Sequence, residues 1–182
     1  MDASFSFEDE YAIPKVFEEC RGIGGSFGIN KIETVPDYMS AKELIIMLVD
    51  LVSRGGNFLL DVGPDADGTI PVIMQERLLQ IGKWLKTNGE GIYCSRRYRK
   101  SSNGDICYTV RDGRIYAFLK RFPFGEALLN EVDYTPSMKA TLLGSDAEIK
   151  VENANGKAKL VFPAINPDTL ESEYVYAFRI EK

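Results

Sequence analysis

The chain has 182 residues, 45% of them hydrophobic, which is enough to build a core in one ordinary domain or two small ones. Its net charge of −5 argues against nucleic acid or an anionic membrane surface as the main partner, because neither attracts an acidic protein. No apolar run is long enough to span a membrane, and no secretion signal is visible, so we expect a cytoplasmic or already processed chain.

Histidine is absent, which excludes Ser-His-Asp and Cys-His hydrolase sites and His-ligated zinc within this chain. Any acid/base chemistry here must rest on Asp, Glu, Lys, Tyr or Cys side chains. Cys20, Cys94 and Cys107 are widely spaced and set among apolar residues, so we expect reduced thiols that fill space. We expect no cofactor.

The first thirty residues predict little regular structure. Residues 1–20 mix aromatic side chains with carboxylates around Pro14, which indicates a loop with at most a short strand. Residues 21–30 hold four glycines, but no clear strand precedes them and no helix follows directly, as a phosphate-binding loop requires. We predict a sharply turning loop.

A helix, a strand and a second helix are predicted over residues 40–89. Ser40 and Glu43 form a capping box before an apolar stripe, and Gly55 can close that helix. The apolar run at 58–62 is too short for a globular helix, so it predicts a strand buried on both faces in a parallel sheet. The second helix starts at Pro71 and carries one apolar face, formed by Met74, Leu78, Ile81 and Leu85.

The segments that flank the second helix carry weaker signals. Residues 65–69 have a carboxylate spacing that suggests calcium, but the glycine is misplaced for an EF-hand loop, so we expect no bound metal. Residues 92–94 predict a last short strand or an exit segment.

From about residue 98 the sequence becomes typical of an antiparallel β-sandwich. Short β-branched and aromatic runs alternate with turns, and Asp112-Gly113 and Asn155-Gly156 are strong hairpin signals. The predicted strands lie at 107–110, 115–119, 140–143, 148–151, 159–162 and 174–180.

Five motifs stand in order along residues 17–93. They are Phe17-Glu18-Glu19-Cys20-Arg21, Gly25-Ser26-Phe27-Gly28-Ile29-Asn30, the run 48–64 around Gly55-Gly56-Asn57-Phe58-Leu59-Leu60-Asp61-Val62-Gly63-Pro64, Asp67-Gly68-Thr69-Ile70-Pro71, and the run 76–93. Together they resemble the C-terminal half of an α-L-fucosidase of glycoside hydrolase family 29. The resemblance covers nearly the whole chain and weakens after residue 100.

The resemblance implies an α/β plus all-β fold, with the last segments of a (β/α)8-like barrel in residues 1–97 and an antiparallel β-sandwich in 98–182. It implies a retaining glycoside hydrolase that removes terminal α-L-fucose from an oligosaccharide or glycoconjugate. The family's nucleophile aspartate and its fucose-binding histidines lie upstream of every motif matched here, so the chain resembles a truncated form.

Retaining hydrolysis needs two carboxyl groups about 5 Å apart, and only the acid/base of that pair falls within this chain. The resemblance implies Glu10, then Glu18, then Asp9 as candidates for it. Phe27 corresponds to an aromatic residue that packs on the sugar. Asp61 stands where the family usually has Asn and has no role that we can assign, and Ile29 replaces a Tyr.

A second hypothesis is a non-catalytic carbohydrate-binding or assembly module built on the sandwich. The aromatic side chains that motivate it are Tyr108, Tyr116, Phe122 and Phe124. An incomplete barrel would also expose strand edges and apolar helix faces. We therefore expect a homo-oligomer, or association with a separate N-terminal fragment.

Overall fold

A computed structural model describes residues 17–182, which form an α/β part with two strands and two helices, followed by a part made of eight strands. The first part holds β1 (Glu18–Gly22), α1 (Ala41–Ser53), β2 (Asn57–Asp61) and α2 (Val72–Asn88). The second part holds eight strands: β3 (Arg96–Asn103), β4 (Ile106–Arg111), β5 (Arg114–Leu119), β6 (Glu126–Asp133), β7 (Lys139–Leu142), β8 (Glu148–Ala154), β9 (Lys157–Val161) and β10 (Tyr176–Glu181).

β1 and β2 pair in parallel, which confirms the predicted type of sheet. Glu18 lies opposite Asn57 at one end of the pair, and Gly22 lies opposite Asp61 at the other. β2 was expected to be buried on both faces, but the side chain of Leu59 is 49% exposed. That expectation is wrong for the described residues, because only one face of β2 packs against α1 and the small cluster around Ile23 and Met74.

α1 begins and ends where the sequence predicts. The backbone N–H of Glu43 donates to Oγ of Ser40 at 3.3 Å, and the Glu43 carboxylate accepts from the Ser40 N–H at 2.8 Å. These two bonds satisfy donors that the first turn of a helix leaves free. Gly55 follows with φ +88°, a left-handed conformation that glycine adopts at low cost.

α2 packs against the second part of the chain through its C-terminal half. Trp84 is buried and its ring centroid lies 6.3 Å from that of Phe118 in β5. Leu78, predicted to lie on the same apolar face, is instead 36% exposed. Residues 92–94 form an exit segment rather than a strand, since Cys94 turns the chain with φ 57°.

The eight later strands form one antiparallel sheet, and this pairing confirms the predicted class of the second part. The end strands β3 and β6 also contact each other, so the sheet folds over on itself. Their order is β3-β4-β5-β10-β7-β8-β9-β6. Two of the hairpin turns were predicted, and in both of them the two central residues have positive φ: Asp112 (50°), Gly113 (77°), Asn155 (54°) and Gly156 (85°). Positive φ at both central positions is the requirement of a type I′ turn.

β5 is buried on both faces, and its side chains alternate between two cores. Ala117 and Leu119 face the core inside the folded sheet, whereas Tyr116 and Phe118 pack with Trp84 and the helices. The period of two is what a pleated strand imposes. β5 therefore joins the sandwich to the α/β part, and the predicted division between residues 97 and 98 stays a prediction.

The two edge strands of the sheet, β3 and β6, are drawn together by charged side chains. Nη2 of Arg99 lies 2.9 Å from Oδ2 of Asp133, and Nζ of Lys100 lies 3.3 Å from Oε1 of Glu131. Asp133 also accepts from Lys157 of β9 at 2.7 Å. The Arg99 and Lys100 contacts therefore join the two edge strands, whereas the Lys157 contact lies within the β6–β9 pair.

Two interpretations of individual side chains need correction. Tyr108 and Tyr116 are buried core residues and Phe122 packs against the sandwich core, so of the four aromatics only Phe124, 81% exposed, is free to bind a ligand. The three cysteines are free, but only Cys107 is buried and fills space.

Among residues 17–182, no helix is both long enough and apolar enough to cross a membrane.

Candidate functional site

The candidate site lies at the carboxyl ends of β1 and β2, where parallel strands with helical crossovers place their binding residues. The two strands end side by side at Gly22 and Asp61. Beyond them the backbone N–H of Ile23 donates to the Asp61 carbonyl oxygen at 3.0 Å. The loops 23–39 and 62–71 leave the sheet from this edge.

The loop after β1 packs closely against two glycines, Gly22 and Gly63. A Cβ added to Gly22 would overlap the carbonyl oxygen of Ser26, and a Cβ added to Gly63 would overlap the backbone of Gly28 and Ile29. Both obstacles are backbone atoms, which cannot move aside as a flexible side chain can. Glycine at these two positions therefore fixes the height of residues 26–29 above the strand ends.

Phe27 stands on this loop with 59% of its surface exposed. The Asn30 side chain steadies the loop, since its Nδ2 donates to Oγ of Ser26 at 3.2 Å and its Oδ1 accepts from the Ile32 N–H at 3.1 Å. A fixed backbone carrying an exposed ring suits a sugar-contacting role. That role for Phe27 stays a prediction.

Glu33 lies within the same loop, and the sequence analysis did not predict it as a residue of the site. Its Oε2 would be 2.6 Å from a Cβ on Gly24, so the carboxylate packs directly on the glycine backbone. This oxygen is buried and has no hydrogen-bond partner in the part of the chain described. Burial raises the pKa of Tyr38, and the nearby Glu33 carboxylate raises it further. The sequence signal that could have indicated Glu33 is a carboxylate in a glycine-rich loop that follows a strand.

Glu18 lies at the opposite end of the strand. It is the first residue of β1, four residues before Gly22, which corresponds to about 13 Å along the strand. Its neighbour Phe17 packs on Gly56, and the Arg54 guanidinium lies 5.8 Å from the Phe17 ring centroid. The acid/base role of Glu18 stays a prediction, which this placement disfavours. Glu10 and Asp9 lie outside the described residues.

Asp61 contributes to the site through its backbone, since its carbonyl oxygen holds Ile23 in line with β1. The following turn is also held by internal bonds. The N–H of Thr69 donates to Oδ1 of Asp67 at 2.9 Å, and this bond lowers the pKa of Asp67. No group of three or more metal-ligating side chains lies together within residues 17–182.

Two protein-family models match the chain, one in each of its two parts. The family model described as alpha-L-fucosidase matches residues 6–90, and the model of the alpha-L-fucosidase C-terminal domain matches residues 99–181.

Curated relatives show the same relationship over most of the chain. An alpha-L-fucosidase of Dictyostelium discoideum is 41% identical over 174 residues, which are 90% of this chain and 38% of that protein. A tissue alpha-L-fucosidase of Bos taurus is 37% identical over 179 residues, which are 96% of this chain and 38% of that protein. The chain thus spans well under half the length of these relatives.

Solved structures resemble the fold closely. A Thermotoga maritima alpha-fucosidase in complex with fucose superposes with a TM-score of 0.77 at 29% identity, covering 90% of this chain and 39% of that one. The same enzyme in complex with a mechanism-based inhibitor gives a TM-score of 0.79 at 30% identity, covering 96% of this chain and 42% of that one.

Proposed function

The chain belongs to the alpha-L-fucosidase family, and from this premise we propose that it supplies the C-terminal part of a retaining glycoside hydrolase that cleaves terminal α-L-fucose. The proposed substrate is a fucosylated oligosaccharide or glycoconjugate. One observation carries the proposal from this chain's own geometry. The exposed ring of Phe27 stands on a loop fixed by Gly22 and Gly63 at the carboxyl ends of two parallel strands.

The proposed reaction uses two carboxyl groups about 5 Å apart on either side of the glycosidic bond. One is protonated and gives its proton to the leaving oxygen, while the other attacks the anomeric carbon. We propose that this chain carries the acid/base, with Glu10 ranked before Glu18 and Asp9, and that the nucleophile comes from a segment upstream. Phe27 would pack against the apolar face of the sugar.

The parallel pair also supports a proposal about assembly. Within residues 17–182, β1 and β2 pair only with each other, so no described strand pairs with the outer edge of either one. Unpaired strand edges are templates for another strand. We propose that upstream barrel strands, from the same protein or a separate N-terminal fragment, pair there, or that a second copy covers the face as a homo-oligomer.

The test uses the chain mixed with the upstream remainder of the Dictyostelium discoideum relative, and measures hydrolysis of two fucosides with good and poor leaving groups. With Glu10→Ala, we expect loss of about 10²- to 10⁴-fold on the poor leaving group and much less on the good one, because only the former needs a proton. Glu18→Ala and Asp9→Ala are measured beside it as the other candidates, and Glu19→Ala, which removes a partly exposed carboxylate that is not a candidate, is the control.

The result separates the candidates from one another. A selective loss on the poor leaving group in Glu18→Ala or in Asp9→Ala would move the acid/base role to that residue. No fucoside hydrolysis by the mixture, despite a stable complex by light scattering, would overturn the proposed activity.

A further inference from the structure

A cavity of about 180 Å³ lies where α2 meets the segment that leads into β10. Six side chains line it: Gln80, Lys83, Trp84, Glu171, Glu173 and Tyr174. Gln80 and Lys83 stand eight and eleven residues along α2 from Val72, which is roughly 12 to 16 Å from the helix start. The cavity therefore opens well down the helix from the loops at the carboxyl ends of β1 and β2.

The walls of the cavity are held by a buried hydrogen-bond network. The Trp84 indole Nε1–H donates to the Val175 carbonyl oxygen at 2.8 Å, and Ser172 Oγ donates to the same oxygen at 3.0 Å. Nδ2 of Asn88 donates to Ser172 Oγ at 2.9 Å. All four residues are buried, so the segment 171–175 is fixed against α2.

A glycine permits the close approach of this segment. A Cβ on Gly144 would overlap the methyl group of Thr87 and would lie 3.1 Å from Cβ of Glu171. Glu171 reaches the cavity from this position, and Thr87 Oγ1 donates to its Oε2 at 3.5 Å.

Tyr174 lines the cavity in a backbone conformation that tyrosine rarely adopts, with φ 68°. The N–H of Val175 donates to the Glu173 carbonyl oxygen at 2.7 Å and closes a tight turn around Tyr174. Such a conformation persists only where the surroundings impose it, and it recurs at binding sites. Here the network around Val175 imposes it and sets the aromatic ring at the cavity.

The polar groups of the cavity suit a neutral, hydroxyl-rich ligand. Oε1 of Gln80 already accepts from Nη1 of Arg77 at 3.0 Å, which leaves the Gln80 amide nitrogen as a donor. Lys83 can also donate, and the two glutamates can accept. Nζ of Lys83 lies 3.5 Å from Oε1 of Glu173, so one carboxylate is already matched by a cation. The remaining net charge of −1 disfavours anions, and no metal-ligating group of three forms in the described part of the chain.

We propose that this cavity binds one neutral sugar ring of a glycan, with Tyr174 against its apolar face and Gln80, Lys83 and the glutamates on its hydroxyls. The volume is below that of drug-sized pockets and suits a single ring. This site is additional to the proposed hydrolysis and does not rest on it, because binding is measured without turnover.

The experiment uses the indole N–H resonance of Trp84, which is the protein's single tryptophan and lines the cavity. The full chain is titrated separately with L-fucose, D-galactose and N-acetyl-D-glucosamine, and with sorbitol as an acyclic control. We expect a saturable shift with at least one sugar, with a dissociation constant of the order of 1 mM, and no saturable shift with sorbitol.

Variants test whether the lining residues are responsible. Lys83→Ala and Gln80→Ala should each weaken binding by about tenfold, whereas Lys86→Ala, on the same helix but outside the cavity, should not. Tyr174→Gly removes the ring at a position whose backbone favours glycine, so we expect loss of binding with no loss of fold.

Three outcomes would overturn the proposal. They are no saturable shift with any of the three sugars, an equal response to sorbitol, and unchanged sugar binding in both Lys83→Ala and Tyr174→Gly.

Discussion

The indole of Trp84 and the carbonyl of Val175 are joined by a 2.8 Å hydrogen bond across 91 residues of sequence. The same carbonyl oxygen accepts from Ser172 Oγ, so a single buried acceptor receives two side-chain donors. One donor belongs to α2 and the other to the segment before β10. This oxygen is therefore a point at which the α/β part and the sandwich are fastened together.

Removing both side-chain donors to the Val175 oxygen should lower the free energy of unfolding by more than the sum of the two single effects. Trp84→Phe or Ser172→Ala leaves the Val175 oxygen with one partner, and we expect each to lower the free energy of unfolding by about 1–3 kcal/mol. The double variant leaves a buried acceptor unpaired. Urea unfolding followed by circular dichroism measures this. Strict additivity would contradict the shared-acceptor arrangement.

Gly63→Ala should destabilise the chain, because the new Cβ meets the backbone of Gly28 and Ile29. Relieving such an overlap by backbone shifts typically costs about 1–3 kcal/mol. Gly82→Ala is the matched control, since nothing lies within 4 Å of its added Cβ in the middle of α2. That control should gain about 0.5–1 kcal/mol. Urea unfolding of both variants measures these free energies. An unchanged stability in Gly63→Ala would contradict the close packing of Gly63 against residues 28–29.

The pKa of Asp133 should report on its two ion pairs, one with Lys157 of the neighbouring strand β9 and one with Arg99 of the edge strand β3. The hydrogen bond from Lys157 has the largest effect and that from Arg99 the next largest, and together they lower the pKa of Asp133 from 3.8 to about 2. Because the folded pKa is depressed, the contribution to stability is complete above pH 3.8 and is lost as the pH falls towards 2. NMR titration of the carboxyl carbon measures the pKa.

Lys157→Met should raise the Asp133 pKa more than Arg99→Met does, because the Lys157 hydrogen bond has the larger effect. Both effects should shrink at high salt, since all three side chains are partly exposed. An unchanged pKa in both variants would show that these contacts do not persist in solution.

Two of the three cysteines should react with Ellman's reagent in the folded chain. Cys20 and Cys94 are exposed, whereas Cys107 is buried and its burial raises the pKa of its thiol. The thiolate is the reactive form, so Cys107 should react only as the chain unfolds. Cys107→Ser is the control, and it should leave the fast phase unchanged. Rapid reaction of all three thiols would contradict the observed burial.

Local signals predicted much of the fold. The capping box at Ser40 and the turns at Asp112-Gly113 and Asn155-Gly156 are set by neighbouring residues, so short-range chemistry determines them. β3 and β6 were missed. β3 is a polar edge strand with little apolar alternation, and a register irregularity between Leu129 and Asp133 breaks the pattern of β6.

The candidate site was predictable only in part. Phe27 could be named from a motif, but the fit of Gly63 under residues 28–29 depends on two loops that are about thirty residues apart. The position of Glu18 at the start of β1 depends on the strand register, which a motif does not fix. The cavity beside Tyr174 combines residues 80–84 with 171–174, and no local pattern links those segments.

The ion pairs between β3 and β6 have a further consequence for solubility. A sheet of eight strands would ordinarily end in two rows of open backbone groups, at which other molecules could add strands and start fibres. Here the two end strands meet, and Arg99, Lys100, Glu131 and Asp133 place charge along the seam. Charges of this kind oppose strand addition, so the residues that close the sandwich also protect it from aggregation.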